Sequence, residues 1–213
     1  ALGQVRSAAL FSGNGQDADA MTLTLSNVGI FVGVGGGLTD VGSDGDYSND
    51  TVANGTLGFG ATVTTLTLVS IKDRGASALL ATDDRTYLGV ALKDFDGDLV
   101  GLDDLLVFHA YNVDAVINKS VHADGVTAVS KLDWSTFSNT GMDLSAAKTA
   151  LNATTLGAVT ASVDLAVDGG VALNVLDGVL VAKGDFTLAL GQVRSAALFS
   201  GNGQDADAMT LTL

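Results

Sequence analysis

Residues 162–190 read SVDLAVDGGVALNVLDGVLVAKGDFTLAL, with apolar side chains recurring at every second position. Val163, Leu165 and Val167 share one parity, Val171, Leu173 and Val175 follow, and Phe186, Leu188 and Leu190 close the run. A period of two sends successive side chains to opposite faces, so the pattern predicts β-strands with one buried face. Asp177-Gly178 predicts a two-residue hairpin, because a type I′ turn needs positive φ at both central positions. Asp168-Gly169-Gly170 and Lys183-Gly184-Asp185 read as two further turns.

Outward from this stretch the same alternation returns. Residues 21–25 are M-T-L-T-L, residues 29–34 resume after Asn27, and residues 57–69 alternate through Phe59, Ala61, Val63, Leu66 and Leu68. Residues 23–28, 90–95 and 188–193 share the form apolar-x-Leu-x-polar-apolar, and residues 66–71 are a looser member. The spacing of these motifs, about 21 to 24 residues, suits one coil of a β-solenoid or one long hairpin. Residues 39–54 (TDVGSDGDYSNDTVAN) depart from it as a polar, turn-rich loop. Residues 121–158 are mixed; Asp143 followed by good helix formers predicts one short helix over 143–151, and Trp134 and Phe137 are suited to cover the end of a sheet. The fold class is all-β, an elongated repeat architecture built either as a β-solenoid or as stacked hairpins in a continuous sheet.

Residues 1–25, ALGQVRSAALFSGNGQDADAMTLTL, recur letter for letter at 189–213. The two copies start 189 − 1 = 188 residues apart, a domain-sized period well above that of ordinary solenoid repeats. Residues 1–188 are therefore expected to form one complete repeat unit and residues 189–213 the start of the next, in continuous β-structure with no linker. On this reading the chain opens inside an array, and any secretion signal or anchor belongs elsewhere in a longer polypeptide.

Composition narrows the function classes. The chain is 47% hydrophobic, yet 24 acidic residues oppose 10 basic ones for a net charge of −14. Phosphate binding needs clustered Lys and Arg, so nucleic acid is not expected as a partner. No apolar run reaches the 18 residues of a membrane span, and membrane insertion is not expected either. Cys is absent, which excludes disulfides, thiolate metal sites and cysteine catalysis. Pro is absent too, and since Pro is confined to sheet edges and turns, its absence predicts backbone paired almost throughout.

Two acidic runs are candidate metal sites. Asp94, Asp96 and Asp98 flank Gly97 and are followed by Asp103 and Asp104; Asp44, Asp46 and Asp50 lie in the polar loop. Calcium takes six to eight oxygens, and carboxylates alternating about a Gly turn offer them from one loop. The spacing departs from an EF-hand, and the competing reading is that Asp-Gly pairs only make turns. His109 and His122 lack a second His or Cys to complete a transition-metal set, and no G-x-S-x-G elbow is present. The chain is not expected to be an enzyme.

The exact duplication, the lack of Cys, the acidity and segments such as residues 23–33 (LTLSNVGIFVG) resemble the long tandem repeats of giant bacterial surface proteins, often grouped with adhesins exported by type I secretion. The resemblance implies an extracellular, elongated, frequently calcium-loaded polymer in adhesion, surface coating or fibre formation. The GGxGxD nonapeptides of calcium-binding secretion blocks are absent. The leading expectation is a structural repeat of a filament, sheath or surface layer, its partners being adjacent copies of the same repeat and lateral neighbours in a fibre. A calcium-stabilised adhesin module that binds glycan or a cell surface, and a β-groove holding an apolar ligand, are the alternatives.

Overall fold

The computed structural model describes residues 1–7, 18–75, 81–193 and 206–213. Residues 8–17 and 194–205, the interior of the two copies of the duplicated stretch, lie outside the described residues, as do 76–80. The strands are β1 Leu2–Arg6, β2 Ala18–Val34, β3 Gly37–Thr39, β4 Thr51–Ala53, β5 Leu57–Asp73, β6 Arg85–Val100, β7 Leu106–His122, β8 Thr140–Gly141, β9 Val163–Val175, β10 Leu180–Val193 and β11 Ala206–Thr212. Helix α1 covers Ser145–Leu151. Nine strands pair in the order β11-β10-β9-β7-β6-β5-β2-β1-β8, and β3 pairs with β4. All the described pairings are antiparallel. The fold is all-β with one short helix, in the form of hairpins stacked into one sheet; the solenoid alternative has no counterpart among the described residues.

The Asp177-Gly178 hairpin forms between β9 and β10. Asp177 (φ 48°) and Gly178 (φ 96°) are both left-handed, and Val179 N–H donates to Leu176 O at 3.4 Å. The other two expected turns are not turns. Gly169 and Gly170 lie inside β9, and Gly184 lies inside β10. Tyr111 touches both segments: its ring lies across Gly170, where an added Cβ would sit 2.1 Å from it, and its hydroxyl donates to Asp185, next to Gly184, at 3.2 Å. Lys183 Nζ stands 5.3 Å from the same ring centroid. An aromatic side chain thus packs over a strand glycine that has no side chain of its own to offer.

A line of irregular residues crosses the sheet. Asn27 on β2 (φ 53°), Asp94 on β6 (φ 49°), Asn112 on β7 (φ 51°) and Gly169 on β9 (φ 155°) are left-handed, and register shifts separate Leu92 from Phe95 and Tyr111 from Asp114. On one side of this line the segment 129–160 covers a face of the sheet. Beyond it Val32, Val34 and Val181 stay exposed.

That covering segment, here called the cap, holds the core. Trp134, Phe137, Leu132, Leu144, Leu151 and Val159 pack against Val5, Ala18, Ala20, Val69, Ile71, Tyr87, Ala91, Val116 and Ala166 of the sheet. Trp134 and Phe137 meet edge to face, 6.1 Å between centroids. Helix α1 starts later than expected, with Leu144 rather than Asp143 at the cap position; Asp143 still accepts Ser145 N–H at 2.8 Å.

The alternating leucines face the other way. Parity puts Leu23, Leu25, Leu66 and Leu68 opposite the cap, and Leu23 is 46% exposed while Thr67 and Val69 on the capped face are 0% exposed. Strand alternation was expected to mark the buried face, but the alternating leucines mark the face opposite the cap, and the capped positions are a mixed set from Ala20 and Ala91 to Ile71 and Tyr87.

Candidate functional site

The chemistry of this molecule is concentrated at its sheet edges and its two faces. The backbone of β2 is paired to β5 along its length, whereas β1 covers only Ala18 to Met21 on the other side. The remainder of β2 (TLTLSNVGIFVGV) carries no Lys, Arg or Pro and exposes Leu25, Ile30, Val32 and Val34. Natural edge strands are kept from pairing by charges, Pro or bulging; this edge has neither charge nor Pro and departs from regular strand geometry at Asn27 (φ 53°), leaving apolar stretches on either side open to pairing. The opposite edge, β11, exposes Met209 and Leu211.

Both edge strands begin in the duplicated stretch, and their hairpins carry the same register. Leu2 pairs with Met21, Gly3 with Ala20, Gln4 with Asp19 and Val5 with Ala18. Moved by 188 residues, these become Leu190 with Met209, Gly191 with Ala208, Gln192 with Asp207 and Val193 with Ala206, which are the pairings observed between β10 and β11. Strand β10 passes through Leu188 and Ala189 without interruption.

The face opposite the cap carries apolar ladders. Leu23, Leu68, Val90, Ile117, Leu165, Leu190 and Met209 are successive register partners across the sheet. So are Leu25, Leu66, Leu92, Ala115, Val167, Leu188 and Leu211. The Leu-x-Leu motif is the sequence mark of these two rows. Because Met209 copies Met21, each row steps by two residues (23 − 21) over one period.

On the capped face one polar cluster ties the layers together. Asn118, 1% exposed, donates through Nδ2 to Leu132 O and Thr160 O, both at 2.8 Å, and accepts Trp134 Nε1–H at 3.0 Å. Asp114, also buried, accepts Asp94 N–H at 2.8 Å and Thr155 N–H at 2.7 Å. That carboxylate joins the irregular line to the cap. Neither residue stood out in the sequence, since a lone Asn or Asp in a strand has no local signature.

The acidic candidates are placed differently from expectation. Asp94, Asp96 and Asp98 lie in β6 rather than in a loop. Asp96 accepts Asn112 N–H at 2.8 Å, supplying a partner where the register shift disturbs the ladder. Asp94 meets Lys93 Nζ at 3.1 Å, and Asp98 contacts Nδ1 of its register partner His109. Asp103 and Asp104 sit exposed in the turn between β6 and β7. Asp44, Asp46 and Asp50 do share the exposed loop between β3 and β4, bonded within it: Asp44 accepts Asp46 N–H and Asp46 accepts Ser48 N–H, each at 2.9 Å, and Asp50 accepts Val41 N–H at 3.1 Å. The Ser48 backbone N–H holds the Asp46 carboxyl below its ordinary range. Among the described residues no three His, Cys, Asp or Glu side chains converge as a metal set, and no helix is long and apolar enough to cross a membrane.

Comparison with protein-family models, with curated proteins and with solved structures finds nothing that matches this chain.

Proposed function

We propose that this chain is a structural repeat module of a giant extracellular filament, sheath or surface-layer protein, joined end to end through a continuous β-sheet. The observation that carries the reading is the identical register of the duplicated hairpin at the two sides of the sheet. A following copy of β2 would extend β11, and β10 would then pair along its whole length, with Leu180 opposite the next copy's Phe31 in the observed register. Each period contributes six sheet strands, β2, β5, β6, β7, β9 and β10, so it advances the array by about 29 Å at ~4.8 Å per strand. The unprotected apolar edges of β2 and β11 are consistent with this use, because in an array they would be interior strands. The Leu-x-Leu ladders offer lateral neighbours a surface of the same kind on every period.

Fibre diffraction and negative-stain microscopy of multi-period protein test the reading. An axial repeat of about 29 Å with a strong reflection near 4.8 Å is expected. Separate beads joined by flexible spacers would overturn it. Glycan-array binding by this chain, lost on chelation, would move the assignment to an adhesin module.

A further inference from the structure

We infer that the cap of each period closes over the hairpin that opens that period, whose first strand begins as β10 of the period before, so that the folded unit straddles the boundary of the sequence repeat. The inference rests on the array reading and deepens it, because it names the residues that lock one copy to the next.

The chain holds the same hairpin in two settings. In the first, Val5 is 0% exposed, Ala18 1% and Ala20 3%, all within the core under the cap. In the second, the same residue types on the same register are uncovered: Val193 is 46% exposed, and Ala206 and Ala208 are only partly buried. The sequence and pairing of the two hairpins are alike. They differ in the presence of residues 129–160 of a cap, which the first hairpin has and the second lacks.

The contacts that cover the first hairpin identify the occupant. Strand β8 pairs with β1 at Val5–Gly141 and Arg6–Thr140, and Met142 N–H donates to Gln4 O at 2.8 Å. Met142 also packs on Gly3, where an added Cβ would sit 2.9 Å from its Sδ. At the other end, Gly191 approaches the segment that follows the cap of the preceding period: Gln192 N–H donates to Ser162 O at 2.9 Å, and an added Cβ on Gly191 would lie 2.3 Å from that oxygen. In an array Gly3 and Gly191 are one position. A Cβ there would then meet both Ser162 O of one period and Met142 Sδ of the next, a double constraint only Gly satisfies. Ala189 packs against the core and Val5 belongs to it, so one cap spans the sheet from β1 to β10 and leaves Val193 to its successor. The partner of the uncovered hairpin is therefore residues 129–160 of a following copy, with that copy's Thr140–Met142 laid along Gln192 and Val193.

The test compares this chain with one extended by a further full period, using the natural absence of Cys. A thiol introduced by Val193→Cys is expected to react freely with a maleimide in the present chain and at least about 100-fold more slowly in the extended one. Val5→Cys is expected to be protected in both. As a second measure, Val193→Ala should leave the urea midpoint of the present chain unchanged and lower that of the extended chain as much as Val5→Ala does. Amide exchange of residues 206–212 reads the sheet independently. If those amides slow in the extended chain while Val193→Cys stays reactive and Val193→Ala stays silent, the shared cap is overturned and the continuous sheet stands. If the amides also remain fast, both fall.

Discussion

Trp134 donates its indole N–H to the Asn118 amide oxygen at 3.0 Å, and each side chain is at most 1% exposed. The same amide holds two cap carbonyls, Leu132 O and Thr160 O, so a single sheet residue fixes both ends of the cap. Asn118→Ala leaves two buried groups, Leu132 O and the Trp134 indole N–H, and the part-buried Thr160 O without this partner, at about 1–3 kcal/mol for each buried group before relaxation. A loss of about 3 kcal/mol or more is expected in urea unfolding. Trp134 is the only Trp, and its emission reports the same loss as cap packing loosens.

Gly89 lies directly beneath this pair. A Cβ there would stand 2.8 Å from Trp134 Cε2 and 2.9 Å from Leu151 Cδ1. Gly89→Ala is expected to destabilise by about 1–3 kcal/mol through overpacking. Gly184→Ala is the control, since nothing lies within 4 Å of the added Cβ, and calorimetry should find it neutral or slightly stabilising.

Thr67 is 0% exposed on the capped face of β5, and among the described residues its hydroxyl has no hydrogen-bond partner. Replacing it with a side chain of the same shape removes an unmatched polar atom. Thr67→Val is expected to raise stability by about 1 kcal/mol in denaturant titration. A loss instead would show that the hydroxyl is satisfied in solution.

Asp73, 2% exposed, accepts Gly75 N–H at 3.1 Å through one oxygen, while its other oxygen meets no donor among the described residues. Burial pushes its carboxyl above the ordinary 3.8, with the Gly75 bond and Arg85 acting in opposition. A carboxyl whose folded pKa is raised stabilises the fold fully below its unfolded pKa, and that contribution is lost as pH rises through the raised value. Asp73→Asn should thus stabilise the protein at neutral pH and do little below about pH 3.9, flattening the pH–stability curve between.

Several of these relationships were legible in the sequence and others were not, for physical reasons. Asp177-Gly178 signalled its turn because positive φ is a local demand that few residue pairs meet. Trp134 and Phe137 stood out as cover because two large aromatics in a polar stretch need a surface to bury against. Gly169-Gly170 and Gly184 misread as turns because the Tyr111 ring that packs over Gly170 and bonds Asp185 comes from a strand more than 50 residues away. The acidic run at Asp94, Asp96 and Asp98 misread as a loop for a similar reason: Asp96 serves an N–H on β7, and local sequence does not reveal a neighbour's bulge. Alternation located the strands but not the cap, since both faces of a single sheet share one period.

The setting of the strands across the proposed array has a mechanical consequence. Tension along such an array pulls at right angles to the strands, opening hairpin hydrogen bonds in succession rather than shearing a whole strand at once. A period occupying about 29 Å when folded would pay out 188 residues, or about 620 Å of extended chain at ~3.3 Å per residue. The polymer would yield under load period by period and refold when slack, with the cap over each boundary acting as the catch that sets the force.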